Sequence, residues 1–277
     1  MTADAVRTQH GWSKSGFDEL YDQPDPRTYF AGLRPLDYRI PHHAQPHFRS
    51  AVARLGGDGA EPVTVLDVCS SYGINAALLK YDVTLEELYA RYTGPATGGL
   101  STRELIDADK EFYASRRRED AGPLTVVGLD VSRRAVGYGC AVGLLDAAYA
   151  ENLERNPASG ELAAALAPVR LITVTGGIGY IGPRTFETLL THAGPGVWVA
   201  AFALRSIDYG PFAAVLERHG LCTRTSGHTF PQRRFTDAAE QQRAVEHVRA
   251  MGLDPAGRES EGHYHAVLHA SRPAGQW

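Results

Sequence analysis

Short, wholly apolar runs and longer stretches with helical spacing take turns along most of this chain. Val63–Val68 is an apolar run broken only by Thr64 and Asp67, and a loop of small residues, Cys69-Ser70-Ser71-Tyr72-Gly73, separates it from the helical spacing of Ile74–Lys80. Leu124–Leu129 repeats the pattern and closes on Asp130, with a long helix expected over Arg133–Leu153. Leu171–Thr175 and Val197–Leu204 read as further strands, each followed by a helix, Thr185–His192 and Pro211–Gly220. Strands near Leu221–Thr225 and Tyr264–Ala270 are expected to close the set. Buried strands alternating with helices predict a parallel sheet built from right-handed crossovers.

Two segments stand outside this alternation. Residues 1–60 are dense in rings without sustained periodicity (Trp12, Phe17, Tyr21, Tyr29, Phe30, Tyr38, then Pro41-His42-His43), which predicts a segment packed over something. Within it Phe48–Leu55 reads as a short amphipathic helix closed by glycines, and the α/β core is expected over 61–273. In a dinucleotide-binding unit the second acid lies about 20 residues beyond the first loop. Here the separation of Asp67 from Asp130 is far larger, so residues 82–120, with helical patterns at Leu85-Leu88-Tyr89 and Leu105-Ile106-Phe112-Tyr113, are an insertion. The N-terminal segment and the insertion are both expected to act as lids at the ligand edge.

Composition narrows the function classes. A formal charge of −4 over 277 residues argues against a nucleic-acid partner, and Arg116-Arg117-Arg118 is flanked by Glu111 and by Glu119-Asp120 as a solvated helix face would be. The three cysteines, Cys69, Cys140 and Cys222, are widely spaced, as expected of reduced thiols in the cytoplasm. No signal peptide opens the chain and no apolar run suits a membrane span, so the expectation is a cytoplasmic protein with a small-molecule substrate and no membrane partner. A homodimer is left open.

An acid at the end of a first strand, a tight loop into a helix, and a second acid at the end of the next strand mark a nucleotide site, the second acid suiting a ribose diol. On these residues the chain resembles the class I S-adenosylmethionine-dependent methyltransferases, over roughly residues 61 to 272. Their first motif, Asp-x-Gly-x-Gly-x-Gly, stands here as Asp67-Val68-Cys69-Ser70-Ser71-Tyr72-Gly73, with Cys69 and Ser71 in place of two glycines. Both substitutions would be strained at positive φ. The second motif, Val126–Ser132, matches well. The resemblance implies a Rossmann-like methyltransferase fold: a mostly parallel seven-stranded sheet with helices on both faces, plus an N-terminal and an inserted helical lid. It also implies S-adenosyl-L-methionine as cofactor, held by Asp67, Cys69, Ser71, Tyr72, Gly73, Asp130, Val131, Gly176 and Gly177. The rival reading of Thr175–Gly182 as the loop of an NAD-dependent epimerase lacks a downstream Tyr-x-x-x-Lys, since no lysine follows Lys110.

A sulfonium is already electrophilic, so the chain has to align a nucleophile and, where needed, remove its proton. Tyr72 and Tyr180, with Tyr21 or Tyr29 folding over, are the candidates for aromatic faces near the cation. Tyr180, Ser206 and Asp208 are the catalytic candidates, and Arg233 is expected to hold a substrate carboxylate unless it pairs with Asp237 or Glu240. His42, His43, His228, His263, His265 and His269 are weaker base candidates, and no metal site is expected. The leading expectation is a small-molecule methyltransferase. The alternatives are cyclisation of S-adenosylmethionine to azetidine-2-carboxylate with release of methylthioadenosine, and a non-catalytic subunit of this fold.

Overall fold

In the computed structural model, which describes residues 18–57 and 62–277, a seven-stranded sheet sits between two layers of helices. Trp12 and Phe17 lie outside the described residues. The chain opens with α1 (Asp18–Tyr21), α2 (Arg27–Leu33) and α3 (Ile40–Gly56). Next come β1 (Val63–Val68), α4 (Ile74–Lys80), the inserted helices α5 (Leu85–Thr93), α6 (Pro95–Gly98) and α7 (Thr102–Ala114), then β2 (Leu124–Asp130) and α8 (Arg133–Ala141). The remainder is β3 (Ala147–Ala150), α9 (Gly160–Leu166), β4 (Val169–Thr175), α10 (Pro183–His192), β5 (Trp198–Leu204), α11 (Gly210–Arg218), β6 (Leu221–Arg234), α12 (Ala238–Ala250) and β7 (His263–Pro273).

The strand order is β3-β2-β1-β4-β5-β7-β6, parallel except for β7, which runs antiparallel to β5 and β6. This is the Rossmann-like methyltransferase fold. Every residue of β1 is buried, and its pleat divides the core: Val63 and Val65 pack with α3, α4 and α8, whereas Leu66 and Val68 pack with α9, α10 and α11. From β1 the chain winds outward to β2 and β3, then returns to β4 on the other side. The crevice beyond the carboxyl ends of β1 and β4 is therefore a topological switch point, where such sheets bind ligands.

Three elements differ from the sequence expectation. The long helix over Arg133–Leu153 is instead α8, a left-handed turn at Gly143 (φ 80°), and β3. Ala-Ala-Tyr-Ala has no apolar alternation, and β3 is a half-buried edge strand held by pairing with β2 on one side only. The strand near Leu221–Thr225 runs on to Arg234 across register shifts that hide its period. The helix at Phe48–Leu55 begins at Ile40, because Pro46 is accommodated inside it. The helices α9 and α12, capped by Ser159 and Asp237, are additional.

The insertion leaves the sheet after α4 and returns before β2. Its helices α5 and α7 start at reciprocal caps, Thr84 with Glu87 and Ser101 with Glu104. Asp109, fully buried on α7, accepts hydrogen bonds from Arg91 Nε (2.7 Å), Tyr92 Oη (2.6 Å) and Tyr138 Oη (2.6 Å), which ties the insertion to α8. Phe30 of α2 stacks on Tyr92 with ring centres 4.8 Å apart, and Arg27 donates to the carbonyls of Thr97 (3.0 Å) and Leu100 (2.7 Å). The insertion thus braces the N-terminal helices. Replacing Asp109 with Ala would remove the acceptor of the Arg91 guanidinium and of the Tyr138 phenol, and would leave the Tyr92 hydroxyl with Tyr113 alone. We expect the Asp109→Ala variant to lose about 3 kcal/mol in urea unfolding, and a loss below about 1 kcal/mol would show that these donors find water.

Candidate cofactor and active site

The site is organised by the chain's exit from β1. Cys69 (φ 57°), Ser71 (φ 49°) and Gly73 (φ 83°) are all left-handed, so the loop turns sharply at the crevice before α4 begins. Only one of the three is glycine, and the other two carry the strain that the sequence implied for them. What offsets it is visible in the bonding. Ser71 N–H donates to Asp130 Oδ2 at 2.9 Å, Ser70 N–H to the Leu129 carbonyl at 3.2 Å, and Gly73 N–H to the Ser70 carbonyl at 2.9 Å. Asp130 Oδ1 takes a further N–H from Ser132 at 3.0 Å. Burial raises the Asp130 pKa, and these backbone donors partly counter it.

A cavity of about 430 Å³ lies in front of this loop, within the range of small-molecule sites. Cys69, Ser70, Ser71 and Asn75 form its floor, and Asp130 and Val131 stand at one end beside residues 151–154 of the loop after β3. Thr175, Gly176, Gly177 and Tyr180 form the other wall, and Tyr21, Asp22, Tyr29, Tyr38 and Pro41 cover it. Among the described residues, no lysine, arginine or histidine lines it. The Ser70 and Ser71 hydroxyls are buried without a protein partner, which is the state of groups that a polar ligand would satisfy. Val131 is 68% exposed at the cavity edge, an apolar surface suited to a flat base.

Gly176 and Gly177 are required by close approach. A Cβ on Gly176 would stand 2.6 Å from Tyr38 Oη, and one on Gly177 would stand 2.8 Å from Cys69 Sγ. Burial pushes the phenols of Tyr21, Tyr29 and Tyr38 further up, so these rings face the cavity in the neutral form.

Some expected site residues stand elsewhere. Asp67 is fully buried beneath the loop and does not line the cavity. Its Oδ1 accepts from Asn75 Nδ2 (2.9 Å) and Thr173 Oγ1 (2.8 Å), so it acts through Asn75, which does line it. Tyr72 turns its hydroxyl away to the Gln23 backbone and Gly73 serves as the N-cap of α4, so neither lines the cavity. Of the catalytic candidates Tyr180 lines it, 44% exposed, and Ser206 and Asp208 do not. Ser206 is buried with an unpartnered Oγ, and Asp208 accepts the Gly210 N–H at 2.8 Å at the start of α11.

Arg233 pairs with Glu240 (Nη2–Oε1 2.7 Å) over the Tyr264 ring, and is absent from the lining, so the carboxylate-binding expectation gives way to the pairing alternative. His265 bonds Thr229 Oγ1 (3.1 Å) and His269 stacks on Tyr209, and burial lowers both to about 4. No residue of the insertion lines the cavity, so its lid role is indirect, through the helices it braces.

The sequence reading missed Asp22, Tyr38, Pro41, Asn75, Thr175 and the loop after β3. Glu154 in that loop accepts from Gly182 N–H (2.8 Å) and Thr185 N–H (3.0 Å), joining it to the start of α10. A helix stop at Gly143 followed by the polar run Glu151–Pro157 was the available signal.

No family model matches the chain, and no curated protein does either. Solved structures are similar to it at low identity. The YcgJ protein of Bacillus subtilis is 9% identical, covering 84% of this chain and 98% of its own, with a TM-score of 0.46. A putative sarcosine dimethylglycine methyltransferase of Galdieria sulphuraria is 12% identical, covering 83% and 85%, with a TM-score of 0.42. The plantazolicin methyltransferase BpumL, solved with SAH, is 10% identical, covering 91% and 92%, with a TM-score of 0.40.

Asp67 generates a pH prediction. Burial lifts its carboxyl from 3.8 to about 7, opposed by the Asn75 and Thr173 bonds. Between those values the folded chain holds more protons than the unfolded one, so this group makes stability fall as pH rises from about 4 to about 7 and has no effect on the slope above. Asp67→Asn should flatten that part of the curve in urea titrations. A variant whose curve runs parallel to the wild type would contradict the protonation of Asp67 in the fold.

Proposed function

We propose that the cavity binds S-adenosylmethionine and that the protein is a transferase moving its methyl group to a small molecule. The observation that carries this reading is the left-handed loop at residues 69–73. It sits at the switch point, its Ser71 amide is fixed by Asp130, and Ser70 and Ser71 line the cavity with buried hydroxyls that have no partner among the described residues. When bound, the sulfonium supplies an electrophilic methyl carbon. The chain's part is to hold and shield. Asp130 keeps acceptor capacity for a ribose diol, because its two oxygens offer about four lone-pair sites and the backbone donors of Ser71, Val131 and Ser132 do not fill them. Val131 offers its exposed apolar surface to the base. The faces of Tyr29, Tyr38 and Tyr180 suit a cation, and among the described residues no lysine or arginine lines the cavity to repel one.

Tyr180 is the assigned catalytic residue: it lines the cavity beside Gly177, where its hydroxyl can hold an acceptor or its proton. Ser206 and Asp208 contribute, in this reading, only by supporting the turn after β5.

A second reading is favoured by the cover of N-terminal helices. A cavity roofed by Tyr21, Tyr29 and Tyr38 suits a reaction that keeps other nucleophiles out. In it the α-amino nitrogen of S-adenosylmethionine, after losing a proton, attacks Cγ and the Cγ–S bond breaks. The products are azetidine-2-carboxylate and methylthioadenosine.

Incubating the protein with S-adenosylmethionine alone and following it by mass spectrometry and calorimetry tests both. The methyl-transfer reading predicts binding with the sulfonium intact until an acceptor is supplied. Methylthioadenosine accompanied by a four-membered amino acid would establish the second reading, and the absence of binding would overturn the cofactor assignment and leave a non-catalytic domain of this fold.

A further inference from the structure

The cover of the cavity carries a carboxylate to which the reading above gives no task. Asp22 directly follows α1, is exposed to solvent, and lines the mouth of the cavity at the same end as Asp130. One residue joins the two acids. Ser132 donates its N–H to Asp130 Oδ1 (3.0 Å) and its Oγ–H to Asp22 Oδ1 (2.8 Å), while the same Oγ accepts the Ala135 N–H (3.1 Å) that starts α8. Next to it Gln23 is pinned from below, its N–H donating to Tyr72 Oη (3.0 Å) and its carbonyl accepting from that hydroxyl (2.9 Å). Arg134 Nη1 reaches the Asp22 carbonyl at 3.3 Å. Residues 20–33 therefore form a strap fastened at a few polar points, with Tyr21 and Tyr29 on its inner side.

The two carboxylates face one cavity, and the charge on Asp22 is one of the causes that lift the Asp130 pKa. A ligand that brings hydroxyl hydrogens between them relieves that repulsion. Each acid has lone pairs to spare, since among the described residues Asp22 accepts one side-chain hydrogen bond and Asp130 accepts from the backbone of Ser71, Val131 and Ser132, short of the about four sites a carboxylate offers. We infer that Asp22 is a second acceptor for the ribose hydroxyls, and that the nucleoside thereby fastens the N-terminal strap over its own binding site. This rests on the cofactor reading above. It divides the site into a fixed wall, bearing Asp130, and a movable one, bearing Asp22. Ligand entry and release then require the strap to lift.

The test uses S-adenosylhomocysteine, calorimetry and amide hydrogen exchange on the full chain. In the wild type the ligand should slow exchange of the amides at 21–33 by at least about tenfold. The Asp22→Ala variant, which removes an exposed side chain and should keep its fold by circular dichroism, should bind about tenfold more weakly, on the scale of one hydrogen bond to a charged group. It should also lose the protection of 21–33 while the amides of β1 and β4 stay protected. Wild-type binding without slower exchange in the strap, or an Asp22→Ala variant that binds as the wild type does, would overturn the inference and leave the cofactor reading standing. No binding by the wild type would overturn both.

Discussion

The 2.9 Å hydrogen bond from the Ser71 amide to Asp130 is the contact on which the rest of the site depends. It joins the loop after β1 to the end of β2 beside the switch point, and it explains two residues that would otherwise look misplaced. Cys69 and Ser71 hold the left-handed backbone that glycine takes most readily, at a cost of about 1–2 kcal/mol each. That conformation points the Ser71 amide at the carboxylate, and the carboxylate in turn holds the loop. With Cys69 packed under Gly177 and the Ser70 and Ser71 hydroxyls buried with no partner among the described residues, the small side chains at 69 and 71 leave the cavity open.

The remainder of the molecule holds that cavity closed from above. The insertion does not reach the site. It braces α2 through Phe30 and Arg27, and it is braced on α8 through the buried Asp109, so the order of support runs from insertion to N-terminal helices to cavity roof. Because α8 begins at Ser132, which also holds Asp130, the same helix carries load from both the roof and the floor. No described helix is long and apolar enough to cross a membrane.

Much of this was legible in the chain. The apolar runs ending in Asp67 and Asp130 located β1 and β2, and the glycines at 176 and 177 located the opposite wall. Asp67 itself was readable as a strand end but not as a buried residue, since its partners Asn75 and Thr173 lie on other elements. β3 was hidden because four residues of alanine and tyrosine at a sheet edge owe their conformation to pairing with β2, not to any period of their own. With β3 went the loop Glu151–Glu154, and with it one end of the site. Asp22 was silent for a different reason: a lone acid in an aromatic segment has meaning only once Ser132 brings it beside Asp130. Arg233 offered a plausible charge for a substrate, yet Glu240, seven residues on, satisfies it.

A crystal structure with S-adenosylhomocysteine would test the account most directly. The account places the ribose against Asp130, the base along Val131, and the sulfur between the loop at 69–71 and Tyr180. A ligand bound outside this cavity, or lying in it with the ribose turned away from Asp130, would contradict the account.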